Sequence, residues 1–254
     1  MEGIQFKDKV FPSSTYTQVT TVQRVLWICN TFYYQILASI TFVAFWLFFN
    51  SHTTGRTLFT MHLVCSTAAY VPLMAVSIIL FSEDNVTTLY IPRTSRNWVH
   101  GVLLLISTLL VTIGIGVETH LKNLNNGKHF VSNHAILGKI SKNLFKIIVI
   151  ILLGLASWIL VFVSVLLGVA AAQTRNLSKY VRPIVTKFIH NLLGISAFLI
   201  GMVSIWYERR AFQRYGLPES ALSIFEVGFV FITIWSLLAA FKSLFAQVKG
   251  VFHF

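Results

Sequence analysis

The stretch HNLLGISAFLIGMVS, residues 190–204, places a line of small side chains below a histidine on one face of an apolar helix. At helical spacings of three and four residues, this face reads His190, Gly194, Ala197, Gly201 and Ser204. An ionisable side chain near the rim of an apolar span is costly, so it usually has a function. The small residues below it favour either close helix packing, which is common in membrane bundles, or space for a flat group between helices.

Histidine also occurs at or near the start of three other apolar segments, at His62, His100 and His134. His100 has small residues on its own face, at Ser107 and Gly114. Helix packing explains the small residues well, but it does not explain why each face begins with histidine. Four such positions, one per successive span, therefore indicate a shared chemical role.

The composition is that of a membrane protein. Of the 254 residues, 56% are hydrophobic and 11% are charged, whereas a soluble domain has about 25% charged residues. A bilayer-spanning helix needs about 20 mainly apolar residues. Six such runs occur, at Leu26–Phe49, Leu58–Phe81, Val99–Val117, Ile147–Ala172, Phe188–Trp206 and Ala221–Phe241. We predict an all-α membrane protein with six transmembrane helices.

We divide the chain into a cytosolic segment at 1–25, a six-helix transmembrane domain at 26–245 and a short tail at 246–254. With six spans, both termini lie on one side of the membrane. That side has eleven of the 20 lysines and arginines, a slight bias toward cytosolic termini. Two glycosylation sequons, at Asn85 and Asn176, fall on the same side, and a glycan on either would reverse this orientation.

The net charge of +12 does not indicate a nucleic-acid-binding protein, because the basic residues are scattered over loops and termini. An anionic lipid or a small anionic substrate suits this distribution better. The two cysteines lie inside spans, so neither a disulfide framework nor a zinc site is supported.

The four histidines pair by membrane side, because successive spans run in opposite directions. The starts of the second and fourth spans share one face, which pairs His62 with His134. The starts of the third and fifth share the other, which pairs His100 with His190. Imidazole is a good axial ligand for haem iron. Two pairs would hold two haems about 20 Å apart in a central four-helix bundle. With both axial positions filled, such centres favour electron transfer over oxygen chemistry.

From His52 to Tyr207 the chain resembles the cytochrome b561 family, in particular its small reductase-like branch. Three motifs carry the resemblance: Gly127-Lys-His-Phe-Val-Ser-Asn-His134, Arg93-x-x-Arg96-x-x-x-His100 and His190-x-x-x-Gly194. The resemblance implies two b-type haems held by the four histidines. It also implies electron transfer from cytosolic ascorbate to monodehydroascorbate or ferric iron across the membrane.

The resemblance further implies that basic residues beside the cytosolic haem bind ascorbate. Arg93, Arg96 and Lys187 occupy matching positions, and the alternative for them is anchoring by positive charge at the cytosolic face. We expect a protein of endomembranes, such as the endoplasmic reticulum, vesicles or lysosomes, or of the plasma membrane. Members of the family are often homodimers.

One departure from the family concerns the fourth span. His134 and His190 are 56 residues apart, whereas His62 and His100 are 38 apart. If the span begins near His134, the His62 pair is intact. If the span begins only at Ile147, His134 lies about 20 Å before its start when the intervening residues are helical. That distance is too large for His134 to pair with His62.

Two other functions remain open. One is a transporter or channel whose histidines relay protons. The other is a scaffold that keeps only the His100/His190 haem. Glu226 is a candidate proton-relay carboxylate, and three loop histidines are candidates for acceptor binding: His52, His120 and His129.

Overall fold

The protein structure is a computed structural model that describes residues 19–50, 57–82, 85–88, 90–124, 143–172, 182–207 and 209–252. Only the backbone is described for residues 57, 86, 143–153, 210–211 and 250–252. Every regular element in the described part is helical. Six of the helical segments are long and apolar enough to cross a membrane, which confirms the predicted number.

The first three spans are α1 (Thr21–Asn50), a broken helix and α4 (Arg93–Leu124). The second span consists of α2, a π-helical segment and α3, and a short 3-10 turn at Val86–Thr88 precedes α4. Their bounds are α1 Thr21–Asn50, α2 Thr57–Ala68, the π segment Ala69–Met74, α3 Ala75–Ile79 and α4 Arg93–Leu124. The remaining helices are α5 Asn143–Ala172, α6 Pro183–Tyr207, the short α7 Arg210–Arg214 and α8 Glu219–Phe252.

Local sequence explains where the helices begin. The Thr20 hydroxyl accepts the backbone N–H of Gln23 at 3.2 Å, and the Gln23 side chain accepts the backbone N–H of Thr20 at 2.9 Å. This reciprocal pair is a capping box, so α1 begins at Thr21, before its apolar run. At α6, Pro183 occupies the first helical position, where its missing N–H costs no hydrogen bond.

The second to fifth spans form a four-helix bundle. The second span packs on α4, α4 on α5, α5 on α6, and α6 closes the ring against the π segment. Outside the bundle, α1 and α8 pack on each other and on the second span, and α8 also covers α6. Large apolar side chains such as Phe42, Trp46 and Phe245 are more than half exposed on the outer faces, as expected of surfaces that meet lipid. The chain is an integral multi-pass membrane protein.

Pro72 explains the π segment in the second span. Proline lacks a backbone N–H and cannot donate a helical hydrogen bond, and the chain widens into a π turn around it. The Ser107 hydroxyl of α4 donates to the carbonyl of Ala69 in this segment at 3.0 Å. The segment also carries Tyr70, a buried residue at the centre of the bundle.

The Asn85 sequon lies in a buried turn. Its side chain is 0% exposed, and its amide nitrogen donates to Tyr34 Oη at 2.9 Å and to the Ile79 carbonyl at 3.1 Å. Its amide oxygen accepts the backbone N–H and the hydroxyl of Thr87. A glycan would be attached to that same nitrogen, so the folded chain has no room for one at Asn85. The second sequon, at Asn176, lies outside the described residues.

Candidate functional site

His100 and His190 face each other at one end of the bundle. Their ring centroids are 6.0 Å apart and their planes are inclined at 80°. With metal–nitrogen bonds of about 2 Å, two imidazoles bound to one metal have centroids about 6 Å apart. The two histidines, which the sequence predicted to pair, thus have the spacing that a shared metal ion requires.

Both rings are oriented by backbone carbonyls. His100 Nδ1 lies 3.0 Å from the Ser77 carbonyl oxygen, and His190 Nδ1 lies 2.8 Å from that of Ser164. A carbonyl oxygen can only accept, so each Nδ1 must carry a proton. In a neutral ring this leaves Nε2 unprotonated and free to bind a metal. An N–H to carbonyl bond of this kind commonly orients histidines that bind metals.

His62 repeats this arrangement toward the other end of the bundle. Its Nδ1 lies 2.9 Å from the Gly114 carbonyl oxygen of α4, and its ring stacks on Phe59 at 6.1 Å. His62 and Ser77 are 15 residues apart on the second span, which corresponds to about 22 Å of helix. The three described histidines of the predicted ligand set therefore occupy two levels, near opposite ends of the bundle.

His134, the fourth predicted ligand, lies outside the described residues. The α5 helix is described from Asn143, nine residues farther along the chain. The pairing of His62 with His134 therefore stays a prediction.

Neighbouring side chains fill the space that the small residues below His190 leave. A Cβ on Gly194 would lie 3.2 Å from Ser164 Oγ, and a Cβ on Gly201 would overlap the ring of Tyr70. Close helix packing, one of the two interpretations of this face, accounts for both positions. Gly194 also has a role in the site, because it lets α5 approach closely enough for Ser164 to reach His190.

A family model described as Eukaryotic cytochrome b561 matches residues 61–211. The chain belongs to the cytochrome b561 family. The predicted resemblance is thus confirmed, and with it a haem-binding transmembrane fold. No curated protein and no solved structure matches the chain. Membership of the cytochrome b561 family implies ascorbate-dependent electron transfer across a membrane, and the match includes all three described histidines of the site.

The basic residues that the sequence analysis predicts to bind ascorbate lie at the His100/His190 end. Arg96 is one helical turn before His100, and Lys187 is three residues before His190. Arg93 and Lys187 are exposed, whereas Arg96 is half-buried. The Nε atom of Arg96 is buried and has no hydrogen-bond partner among the described residues. Arg96 therefore offers a donor for an anion at this end of the cytochrome b561 fold.

Glu226 forms an ion pair, in contrast to a free relay carboxylate. Its Oε1 lies 2.6 Å from Arg209 Nε, and the Arg209 guanidinium stands 5.0 Å from the centroid of the Trp206 ring. These contacts tie the beginning of α8 to the end of α6. In the described structure Glu226 thus has a structural contact, and its role as a proton-relay carboxylate stays a prediction. Of the three loop histidines, His120 is exposed near the end of α4, and the other two lie outside the described residues.

Gly168 of α5 is a site residue that the sequence analysis missed. A Cβ at this position would lie 3.0 Å from His190 Cε1 and 3.3 Å from His190 Nδ1. The lack of a side chain at Gly168 therefore lets the imidazole lie against α5, where it meets the Ser164 carbonyl.

We expect Gly168→Ala to push the His190 ring away from Ser164 and to lower the haem content of the purified protein. Gly101→Ala is the matched control, since a Cβ there meets nothing within 4 Å although it is adjacent to His100. Haem per chain, measured as the pyridine haemochrome, should fall for Gly168→Ala and stay at the parent value for Gly101→Ala. Equal haem content in the two variants would contradict this role for Gly168.

Proposed function

We propose that this cytochrome b561 family member transfers electrons from cytosolic ascorbate through two b haems to monodehydroascorbate or ferric iron on the other side of the membrane. The facing pair of His100 and His190, each with Nδ1 bonded to a carbonyl, supports this proposal best. This pair holds the haem near the donor. His62 and His134 hold the haem near the acceptor.

The orientation follows from the same assignment. With both termini in the cytosol, the starts of α4 and α6 face the cytosol, and so do His100 and His190. The protein resides in an endomembrane or in the plasma membrane.

His100 and His190 would hold the haem, which would supply an iron centre able to carry one electron at a time. The chain's own residues position the group. The Ser77 and Ser164 carbonyls fix the two imidazoles in one tautomer and one orientation. Both acceptors belong to helices that pack within the bundle. The Phe81 ring, at 5.1 Å from His100, covers the same end.

Arg96 provides the main contact to the donor. Ascorbate is an anion at neutral pH, and a guanidinium with an unpartnered N–H binds an anionic oxygen by a charge-assisted hydrogen bond. Arg93 and Lys187, both exposed at the same end, raise the local concentration of the anion. These three residues keep ascorbate close to the His100/His190 level.

We expect Arg96→Gln to raise the KM for ascorbate without changing the haem content. A hydrogen bond to a charged group contributes about 1.5–3 kcal/mol, so its loss should raise KM about tenfold or more. Arg24→Gln is the control, because Arg24 is an exposed arginine at the same end but lies on α1, outside the bundle. Steady-state reduction by ascorbate measures the effect. The same KM in both variants would show that Arg96 does not bind the donor.

The proposed function as a whole is tested in proteoliposomes that contain purified, haem-replete protein and an entrapped ferric chelate. Ascorbate added outside should shift the Soret band of the oxidised protein to that of the reduced form and then reduce the entrapped iron. A coloured protein that ascorbate reduces, but that does not pass electrons to the lumen, would instead indicate the one-haem scaffold. A colourless preparation would favour the transporter or channel.

A further inference from the structure

Tyr70 lies in the middle of the four-helix bundle, between the two histidine levels. On the second span it follows His62 by eight residues and precedes Ser77, whose carbonyl binds His100, by seven. These separations correspond to about 12 Å and 10 Å of helix. The side chain is 5% exposed. None of the histidine contacts described above involves Tyr70.

This one side chain joins three of the four helices of the bundle. Its hydroxyl lies 2.8 Å from Ser157 Oγ on α5, and the Ser157 hydroxyl donates to the Ala197 carbonyl on α6 at 2.7 Å. The ring fills the space left by Gly201 of α6. A tyrosine on the second span thus closes the bundle against α5 and α6 at the midplane.

The hydrogen bonds around Tyr70 have one direction. Serine has a single hydroxyl proton, and Ser157 gives it to the Ala197 carbonyl. The Tyr70 hydroxyl must therefore donate to Ser157 Oγ. This series of hydrogen bonds ends at the Ala197 carbonyl, which accepts a hydrogen bond but has no proton of its own to pass on. It cannot conduct protons as it stands.

Three other buried hydroxyl groups of the bundle also donate to backbone carbonyls. Each donates to a backbone carbonyl within 3.0 Å: Ser107 to Ala69, Thr108 to Leu104 and Ser77 to Met74. These described hydroxyls are bonded to the backbone instead of to each other. Among the side chains that the structure describes, these polar groups between the two levels are therefore satisfied but not connected into a continuous path.

We propose that Tyr70 is the midplane partition of the bundle, which keeps water and protons from passing between the two histidine levels. The purpose assigned to this barrier rests on the proposed function, since electrons cross packed protein whereas protons need water or a hydroxyl chain. A protein that moves electrons between two compartments must not dissipate the pH difference between them. The barrier itself requires no bound haem, so its test is independent of electron transfer.

The chain offers a matched control in Tyr33. Tyr33 is also buried, at 0% exposed, and its hydroxyl also lies 2.8 Å from a serine hydroxyl, that of Ser236. This pair joins α1 to α8, outside the four-helix bundle. The two tyrosines therefore share residue type, burial and a 2.8 Å contact to a serine hydroxyl, and they differ in position.

The experiment measures proton leak into vesicles that contain the full-length protein and an entrapped pH-sensitive dye, without ascorbate. We expect Tyr70→Ala to raise the leak rate several-fold, because the lost ring leaves a space that water can enter beside Ser157. Tyr70→Phe keeps the ring and should leak at the parent rate. Tyr33→Ala should also stay at the parent rate. If Tyr70→Ala does not fold, Tyr70→Leu, which leaves a smaller space, takes its place.

A parent-like leak for Tyr70→Ala, or for Tyr70→Leu in its place, would overturn the proposal. An equal rise for Tyr33→Ala would also overturn it, because the leak would then reflect general loosening of the protein. Failure of the proposed function has a different signature. In that case the parent protein does not reduce the entrapped iron, whatever its proton leak.

Discussion

Alanine in place of either His100 or His190 is expected to remove one haem, and the same haem, from the purified protein. Each substitution would leave one imidazole of the proposed pair, and the 6.0 Å spacing of the two rings is suited to one group held between them. The double variant should therefore lose no more haem than either single variant. The pyridine haemochrome, measured per chain, gives the number directly.

His62→Ala should remove the other haem, so that the spectrum left by this variant differs from the spectrum left by His100→Ala. The control is His120→Ala, since His120 is an exposed histidine of α4 near its far end. It should retain the full haem content. Additive losses in the double variant would mean that His100 and His190 bind different groups, and the assignment of the pair would be abandoned.

Gly201→Ala should destabilise the fold, because the added methyl group overlaps the Tyr70 ring. Tyr70 is 5% exposed and is held by Ser157, so the ring has little room to move. Overpacking of a filled core costs about 1–3 kcal/mol. Gly116→Ala is the control, since a Cβ there meets nothing within 4 Å. Alanine also favours the helix over glycine by about 1 kcal/mol, so this control should be neutral or slightly stabilising.

Thermal unfolding in detergent provides the measurement for both glycine variants. If the overlap with Tyr70 is the cause, combining Gly201→Ala with Tyr70→Leu should recover most of the lost stability, as a double-mutant cycle would reveal. Equal melting temperatures for Gly201→Ala and Gly116→Ala would show that the protein accommodates the methyl group at position 201 without losing stability. The packing described for the midplane would then be wrong.

The sequence predicted the six spans because about 20 apolar residues in a row have few alternatives to a membrane helix. It also predicted that His100 and His190 lie together, since antiparallel spans bring the starts of the third and fifth to one face. Both predictions rest on features that can be read from one sequence, namely the length of the apolar runs and the opposite direction of successive spans. The pairing of His62 with His134 used the same argument, but its second member lies outside the described residues.

The groups that orient the histidines could not be predicted in this way. Ser77, Ser164 and Gly114 act through backbone carbonyls, and every residue has a carbonyl. Gly168 is visible in the sequence as one more glycine in an apolar helix, and only its approach to His190 gives it meaning. The face below His190 left two interpretations open for a similar reason. Small residues permit a close approach, and the sequence does not say what approaches.

The buried turn at Asn85 connects α1 to the part of the second span that contacts His100. The Asn85 amide links Tyr34 of α1 to the Ile79 carbonyl at the end of α3, two residues beyond the carbonyl that aims His100. Yet α1 lies outside the four-helix bundle and precedes the matched region, which begins at residue 61. A fragment cut to residues 61–211 would keep all four histidines of the proposed ligand set. It would lose Tyr34 and with it the contact of α1 to the Asn85 turn, so a helix outside the matched region helps to hold the end of the bundle at which His100 lies.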